Sequence, residues 1–470
     1  CLMSLLIPGT NSIKDTGYDV ANSLRFESAY LQNPSSGASS SAERKTLTWS
    51  IWLKRSELGA TGSTQYLATG RGSSSYYVGI LFNSSDQLRV IQSAGGSTNF
   101  DLKTNRVFRD VSAWYHIVVA FDTTQSTDSN RIKIYVNGTQ ETSFATETYP
   151  SQDLATYFGM TSGGDGYPTY IGSNTSAHFS GYMAEVVEVG GSQLTPTSFG
   201  EFDSDTPTVW KPKDLSDLSF GSTAGANVYL DFEDSSDLGN DVSGGNNDYS
   251  LNSIAATDQS TDTCTNNFAT LNALDNFHAG STITEGALKV VTGGYTTNTS
   301  TIALASGKWF WEVKVTNSSS EDMIGIRGDQ TRSNYDWNES YDFFYNSYGR
   351  FYDGSSGSQF VSYGATFTTG DIIGVALDLD SGTNTIQFYK NGSAQGSKNI
   401  TNVSSTAIGF YNIAVGDYTS GAASTFEINF GSPTFSISSG NADANGYGNF
   451  EYSVPSGYYS VNTKNLKEFG

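Results

Sequence analysis

The chain has 470 residues, a formal net charge of −22 and only 15% charged residues; polarity comes instead from Ser, Thr, Asn and 50 glycines. Domains run to about 100–200 residues, so two to four folding units are expected. No basic patch is present to displace phosphate counterions, no apolar run approaches the ~20 residues of a membrane span, and Leu/Glu/Lys heptads are absent; nucleic-acid binding, membrane insertion by a helix and a coiled coil are excluded. Aromatic residues reach 13%, enough to build cores and incompatible with a disordered chain. Two cysteines, Cys1 and Cys264, make no disulfide framework. Cys1 is either a lipidated start or a remnant ahead of a natural start at Met3, and the lack of a preceding lipidation signal favours Met3.

After an N-terminal segment, 1–21, residues 22–200 carry strand patterns at short, regular intervals. Leu24-Arg25-Phe26 and Ala29-Tyr30-Leu31 come first, then a Ser-rich loop. Thr46 to Leu53 places Leu47, Trp49, Ile51 and Leu53 on one face and Trp52 on the other. Strands are predicted at 77–82, 88–92, 115–121 and 131–136; Asn137-Gly138 then marks a tight hairpin, since both residues tolerate positive φ. Strands at 170–172 and 181–186 complete a sandwich-sized set. Residues 201–284 contain one clear strand, Val228 to Glu233, and otherwise polar sequence, which predicts an ordered but irregular connector lying against a neighbouring domain. Strand character resumes over 285–431, with Lys308 to Val315, Met323 to Ile326, Ile372 to Leu379, Thr385 to Tyr389, Ala407 to Tyr411 and Thr425 to Phe430. The segment 432–470 spaces Tyr447, Phe450, Tyr452, Tyr458 and Tyr459 among Gly, Ser and Asn, as expected of a docked tail. No long 3.6-residue period occurs, so the predicted architecture is all-β, with two β-sandwich domains.

Three passages carry family resemblances. Trp49-Ser50-Ile51-Trp52-Leu53, Trp114-Tyr115-His116-Ile117-Val118-Val119, Ile134-Tyr135-Val136-Asn137-Gly138 and Gly181-Tyr182-Met183-Ala184-Glu185 resemble a laminin-G/concanavalin-type jelly roll. Gly307-Lys308-Trp309-Phe310-Trp311-Glu312-Val313, Gly370-Asp371-Ile372-Ile373-Gly374 and Phe388-Tyr389-Lys390-Asn391-Gly392 resemble SPRY modules. The start at Met3-Ser4-Leu5-Leu6-Ile7-Pro8, the middle at Thr265-Asn266-Asn267-Phe268 and the close at Pro455-Ser456-Gly457-Tyr458-Tyr459 look like marine bacteriophage virion proteins of fibre-like type. Cys264 departs from that layout, where proline is usual.

Jelly rolls of this kind include glycoside hydrolases, which need two carboxylates flanking the sugar bond. The candidates are Glu185 and Glu188, with Asp231, Glu233 and Asp234; their spacing lacks three alternating carboxylates, and solvated or turn-capping roles are expected of them. His116, His178 and His278 form no triad or zinc pattern, His116 reads as a hydrogen-bonded strand residue, and Cys264 lacks a basic neighbour. Calcium is the one ion the sequence suggests, through Asp378, Asp380 and Asn384 in one turn and the acidic run Asp234–Asp248, neither of which has a closing bidentate Glu. The stretch from Asn334 to Tyr352 concentrates aromatics; Phe343-Phe344-Tyr345 reads as core, leaving Tyr335, Trp337, Tyr341 and Arg350 as candidate ligand-binding residues.

The expected function is a non-enzymatic phage structural or adhesion protein on the exterior of a virion, in a fibre, a tail or a capsid decoration. Its expected partners are other virion proteins, further copies of itself and a host-surface glycan, with no cofactor except calcium. The alternatives are a secreted or cell-surface carbohydrate-binding adhesin and, behind it, a polysaccharide depolymerase.

Overall fold

The alternation of bulky and hydroxyl-bearing residues produces strands throughout; the one α-helix among the described residues is Thr463–Phe469. The computed structural model describes residues 17–33, 40–59, 63–159, 167–220, 227–275, 280–319, 321–329, 340–357, 359–420 and 423–470. Two units divide the chain, with a boundary between Thr265 and Asn266.

In the first unit two antiparallel sheets face one another. One runs Thr139–Gln140, Ile132–Val136, Trp114–Asp122, Thr46–Arg55, Gly181–Gly190, Ser23–Phe26, Gln259–Ser260. The other runs Phe144–Thr148, Ser97–Val107, Gln87–Ala94, Tyr76–Phe82, Gln65–Ser73, Thr169–Ile171, Tyr30–Gln32, Ser250–Asn252. Leu47, Trp49, Ile51 and Leu53 point between the sheets with Ile117, Val119 and Phe121, opposite Leu67, Val78, Ile80, Val90 and Phe100. Trp52 lies on the outer face, as alternation requires. Asn137 and Gly138 both adopt positive φ (48° and 76°) in the hairpin between Ile132–Val136 and Thr139–Gln140.

The segment expected as a connector, 201–284, is divided between the units. Asn227–Leu230 pairs with Gly181–Gly190, Ser250–Asn252 with Tyr30–Gln32, and Gln259–Ser260 with Ser23–Phe26. Phe199 and Leu215 cover Val118, Val187 and Val189 on the outer face, and Trp210 packs with Val20, Trp52 and Ala184. The cause is chemical: the outer face of this sheet is itself apolar and requires a cover, which the polar-looking segment supplies through a few large side chains.

The second unit is also a two-sheet sandwich. Its seven-strand row is Thr282–Thr284, Lys289–Val291, Thr425–Asn429, Lys308–Asn317, Ile372–Asp378, Thr385–Lys390, Ser393–Asn399; its six-strand row is Gly294–Leu304, Tyr411–Ser420, Asp322–Arg327, Asp342–Asn346, Arg350–Asp353, Gln359–Ser362. Trp309, Trp311, Phe343, Tyr345, Phe388 and Phe426 fill the space between. The segment 432–470 docks on the outer face of the seven-strand row. Tyr459–Ser460 adds a parallel pair to Lys308–Asn317, and Phe450 packs on Phe310 and Ala376. The buried Glu312 carboxylate accepts the amides of Glu451 and Tyr452 (3.0 and 2.8 Å); burial pushes its pKa up to about 7 against those hydrogen bonds. Asn462 caps the short helix by accepting from the Asn465 amide.

Phe450 is fully buried with its ring edge-on to Phe310, centroids 5.2 Å apart. Phe450→Ala is expected to cost about 3–5 kcal/mol of stability and to expose 432–470 to limited proteolysis, read as early cleavage in that segment.

Candidate functional site

On the second unit, the aromatic stretch singled out in the sequence includes the strand Asp342–Asn346, which pairs with Asp322–Arg327. Tyr335 and Trp337 lie outside the described residues. At the base of that stretch Arg327 Nε donates to both oxygens of Asp342 (3.3 and 3.2 Å), in a buried pair. Tyr341 is half-buried, and its carbonyl accepts from the Gly328 amide at 2.9 Å. Phe343 and Tyr345 point into the interior, while Phe344 points out with Met323, Tyr352 and Ala414.

Arg350 is exposed at the start of its strand, where its amide donates to Asn346 Oδ1 (2.9 Å). Its guanidinium stands 5.7 Å from the Tyr348 ring, which is 48% exposed. Burial raises the pKa of Glu321, and the Arg350 charge opposes that rise. Across the same outer face runs a row of half-buried rings, Tyr295 edge-on to Tyr418 (6.0 Å) and Tyr418 against Phe360 (5.9 Å), and it ends on the fully buried Tyr352, 5.2 Å from Phe360. Rings with one open face and a fixed cation beside them suit stacking and polar anchoring of a ligand.

The candidate calcium residues have structural partners. Asp378 Oδ1 accepts the amides of Asp380 and Ser381 (both 3.0 Å), and its Oδ2 pairs with Lys308 Nζ (2.8 Å). Against the burial that would raise it, Lys308 and the turn hydrogen bonds hold the Asp378 pKa below its ordinary value. Asp380 Oδ1 accepts the Gly307 amide (2.7 Å), and Asn384 Oδ1 accepts the Val403 amide (2.7 Å). In the acidic run, Asp241 accepts from the amides of Tyr229, Ser243 and Asn247. Among the described residues no three His, Cys, Asp or Glu side chains gather as a metal site.

On the first unit, His116 is buried between the rings of Trp52 (4.6 Å) and Trp210 (5.9 Å). Trp210 Nε1 donates to its Nδ1 (2.9 Å), so the ring proton sits on Nε2 and is directed at Ser50 Oγ (2.8 Å). Burial holds the imidazole pKa down to about 3. This histidine is neutral and cannot take a proton from Ser50 through Nε2.

Glu185 and Glu188 are not solvated as expected; they are 3% and 4% exposed. Glu185 sits in a β-bulge with φ of 49°, and its Oε2 accepts from Tyr229 Oη (2.8 Å) and Tyr18 Oη (3.5 Å). Burial, with Asp231 and Glu233 nearby, raises its pKa to about 7. Glu188 pairs in register with Trp49 and Val228, both core residues, and so faces the sandwich interior; burial raises its pKa to about 8. The two glutamates point to opposite sides of the sheet, which rules them out as a pair flanking one glycosidic bond. No spacing rule reveals such a burial, since a carboxyl within a strand reads as solvent-facing. Asp231 and Asp234 do cap turns, accepting the amides of Glu233 and Ser236 (3.1 and 2.8 Å). Cys264 packs against the Val20–Trp52–Ala184–Trp210 cluster, and burial raises its thiol pKa.

Residues 27–192 match the concanavalin A-like lectin/glucanases superfamily, and residues 308–431 match the SPRY domain. The chain joins a concanavalin-like domain to a SPRY domain. Among solved structures it is similar to the SPRY domain of human HERC1 (19% identity, TM-score 0.28, covering 34% of this chain and 96% of that one). It is also similar to domain 4 of AbnA, an extracellular arabinanase from Geobacillus stearothermophilus in complex with arabinotriose (14% identity, TM-score 0.27, covering 40% and 82%). A third is a heptameric SAP-like pentraxin from Limulus polyphemus (12% identity, TM-score 0.29, covering 51% and 97%). Among curated proteins none matches.

In the concanavalin-like domain, the folded chain holds the Glu188 proton more tightly than the unfolded chain does. Unfolding therefore releases that proton once the pH exceeds the ordinary carboxyl value, and stability falls as pH rises towards about 8. Glu188→Gln is expected to flatten this fall, which reaches about 1.4 kcal/mol per pH unit for one proton. Urea denaturation of both forms across pH 5–9 measures it; parallel slopes would contradict the assignment.

Proposed function

We propose that the chain is a non-enzymatic adhesion and structural protein of a bacteriophage virion, carried on the particle exterior, where it binds neighbouring virion subunits and a host-surface glycan. The observation that carries the binding half of this reading is the exposed Tyr348–Arg350 pair beside the half-buried row Tyr295–Tyr418–Phe360 on the SPRY domain. Open aromatic faces stack on sugar rings, and a guanidinium fixes hydroxyl or carboxylate groups at their edge. A passive role is supported by the titratable residues of the concanavalin-like domain: His116 has both ring nitrogens engaged, and Glu185 and Glu188 are buried on opposite sides of one sheet. The phage context rests on the sequence layout at the start, middle and close of the chain. Assembly with further copies of itself belongs to the same reading. An extracellular adhesin of the same chemistry is the second reading, favoured by the lectin-type first domain.

A glycan array probed with the purified chain is expected to give binding without release of reducing ends. Arg350→Ala, at an exposed position, is expected to weaken that binding roughly tenfold, about 1.4 kcal/mol, with an unchanged circular dichroism spectrum. Oligosaccharide release would overturn the passive role, and unchanged affinity would remove this face from it. Antibody labelling of intact particles is expected to mark their exterior; label confined to a bacterial surface would favour the adhesin.

A further inference from the structure

At one edge of the SPRY sandwich two carboxylates meet without a cation. Asp322 and Asp417 are register partners on adjacent strands, both fully buried, and alternation with Ile324 and Val415 turns them towards the opposite sheet. From that sheet Ser424, just ahead of Thr425–Asn429, and Thr292, just after Lys289–Val291, reach between them. Ser424 Oγ hydrogen-bonds Asp322 Oδ1 and stands 3.1 Å from Asp417 Oδ2 and 2.7 Å from Ser319 Oγ. Ser319 Oγ and Thr292 Oγ1 lie 3.0 and 3.5 Å from Asp417 Oδ2. Asp417 Oδ1 is taken by the Thr419 amide (2.7 Å).

The cage is rich in oxygen, and its hydroxyl protons go chiefly to Asp417, whose Oδ2 accepts from Ser319 Oγ and Thr292 Oγ1. The single Ser424 hydroxyl proton faces three oxygens and can serve one. Asp322 Oδ2 is buried with no hydrogen-bond partner, although the Ser318 hydroxyl and the Ser319 amide stabilise the Asp322 charge from nearby. Among the described residues neither aspartate has a lysine or arginine partner, whereas Asp378, Asp342 and Asp262 each have one. Two adjacent buried carboxylates need a counter-charge, and an unpaired carboxylate oxygen ringed by hydroxyls is the donor set of a hard cation.

We propose that Asp322 and Asp417, with the hydroxyls of Ser424, Ser319 and Thr292, form a calcium site that ties the two sheets of the SPRY domain together. Calcium takes about six to eight oxygens in irregular geometry, which suits this set; magnesium demands near-octahedral ligands and retains water, for which a fully buried cage is a poor host. This site is separate from the Asp378–Asn384 turn, whose oxygens already serve amides and Lys308.

The test uses the full chain stripped with EGTA. Calorimetric titration with CaCl2 is expected to show saturable binding, and about 1 mM calcium to raise the melting temperature of one transition by several degrees. Asp417→Asn is expected to abolish both effects, Ser424→Ala to weaken affinity roughly tenfold with both carboxylates kept, and Asp378→Asn to leave the response intact. Should Asp417→Asn fail to fold, the Ser424→Ala affinity decides. Absence of binding by the native chain would overturn the site, as would an unchanged response in Asp417→Asn and Ser424→Ala. A native chain that binds no calcium, together with a stabilised Asp417→Asn, would overturn the site and assign the cage to a shared proton.

Discussion

The burial of both faces of Gly181–Gly190 governs the first domain. Every residue of that strand is buried: Met183 and Val186 enter the sandwich, while Ala184, Val187 and Val189 require a cover outside it. A strand apolar on both sides cannot sit at a solvent face, so the chain beyond residue 190 must return across it. It does so with Phe199, Trp210 and Leu215, then adds Asn227–Leu230 alongside. His116 is a consequence of the same return, because the Trp210 indole that covers the sheet also fixes its tautomer. The ion pair between Lys54 and Asp262 (2.8 Å), fully buried and joined by Trp114 Nε1, closes the cover at its far end.

Much of the fold is legible in the order of residues. Leu47-Trp49-Ile51-Leu53 against Trp52 gave the sheet faces, Asn137-Gly138 marked its hairpin, and Phe343-Phe344-Tyr345 read as core. The strands Gln65–Ser73 and Ser97–Val107 escaped notice because hydroxyl, amide and glycine residues dominate them and few of their residues, Leu67, Ala68, Phe100 and Leu102, join the core. That 201–284 would lie against a domain was expected, but the pairings of Ser250–Asn252 and Gln259–Ser260 escaped for a related reason: two- and three-residue strands leave no periodicity to read.

The candidate site was legible in composition and hidden in geometry. Arg350 is exposed beside Tyr348, but its setting depends on Tyr295, Tyr418 and Phe360, which come from distant strands. Acidic residues misled in both directions. Asp378, Asp380 and Asn384 look like a calcium loop and instead hold a turn, while Asp322 and Asp417 lie 95 residues apart and meet only when Asp322–Arg327 pairs with Tyr411–Ser420. The exposed ring and cation of the candidate site, Tyr348 and Arg350, stand apart from these buried polar groups.

Residues 201–220 and 227–265 form an integral layer of the concanavalin-like domain. Hydrogen exchange followed by mass spectrometry tests it directly. Asn227–Leu230 and Gln259–Ser260 are expected to exchange as slowly as Gly181–Gly190 and to open with it in a single cooperative event. Rapid exchange across 201–265 while Gly181–Gly190 stays protected would contradict it.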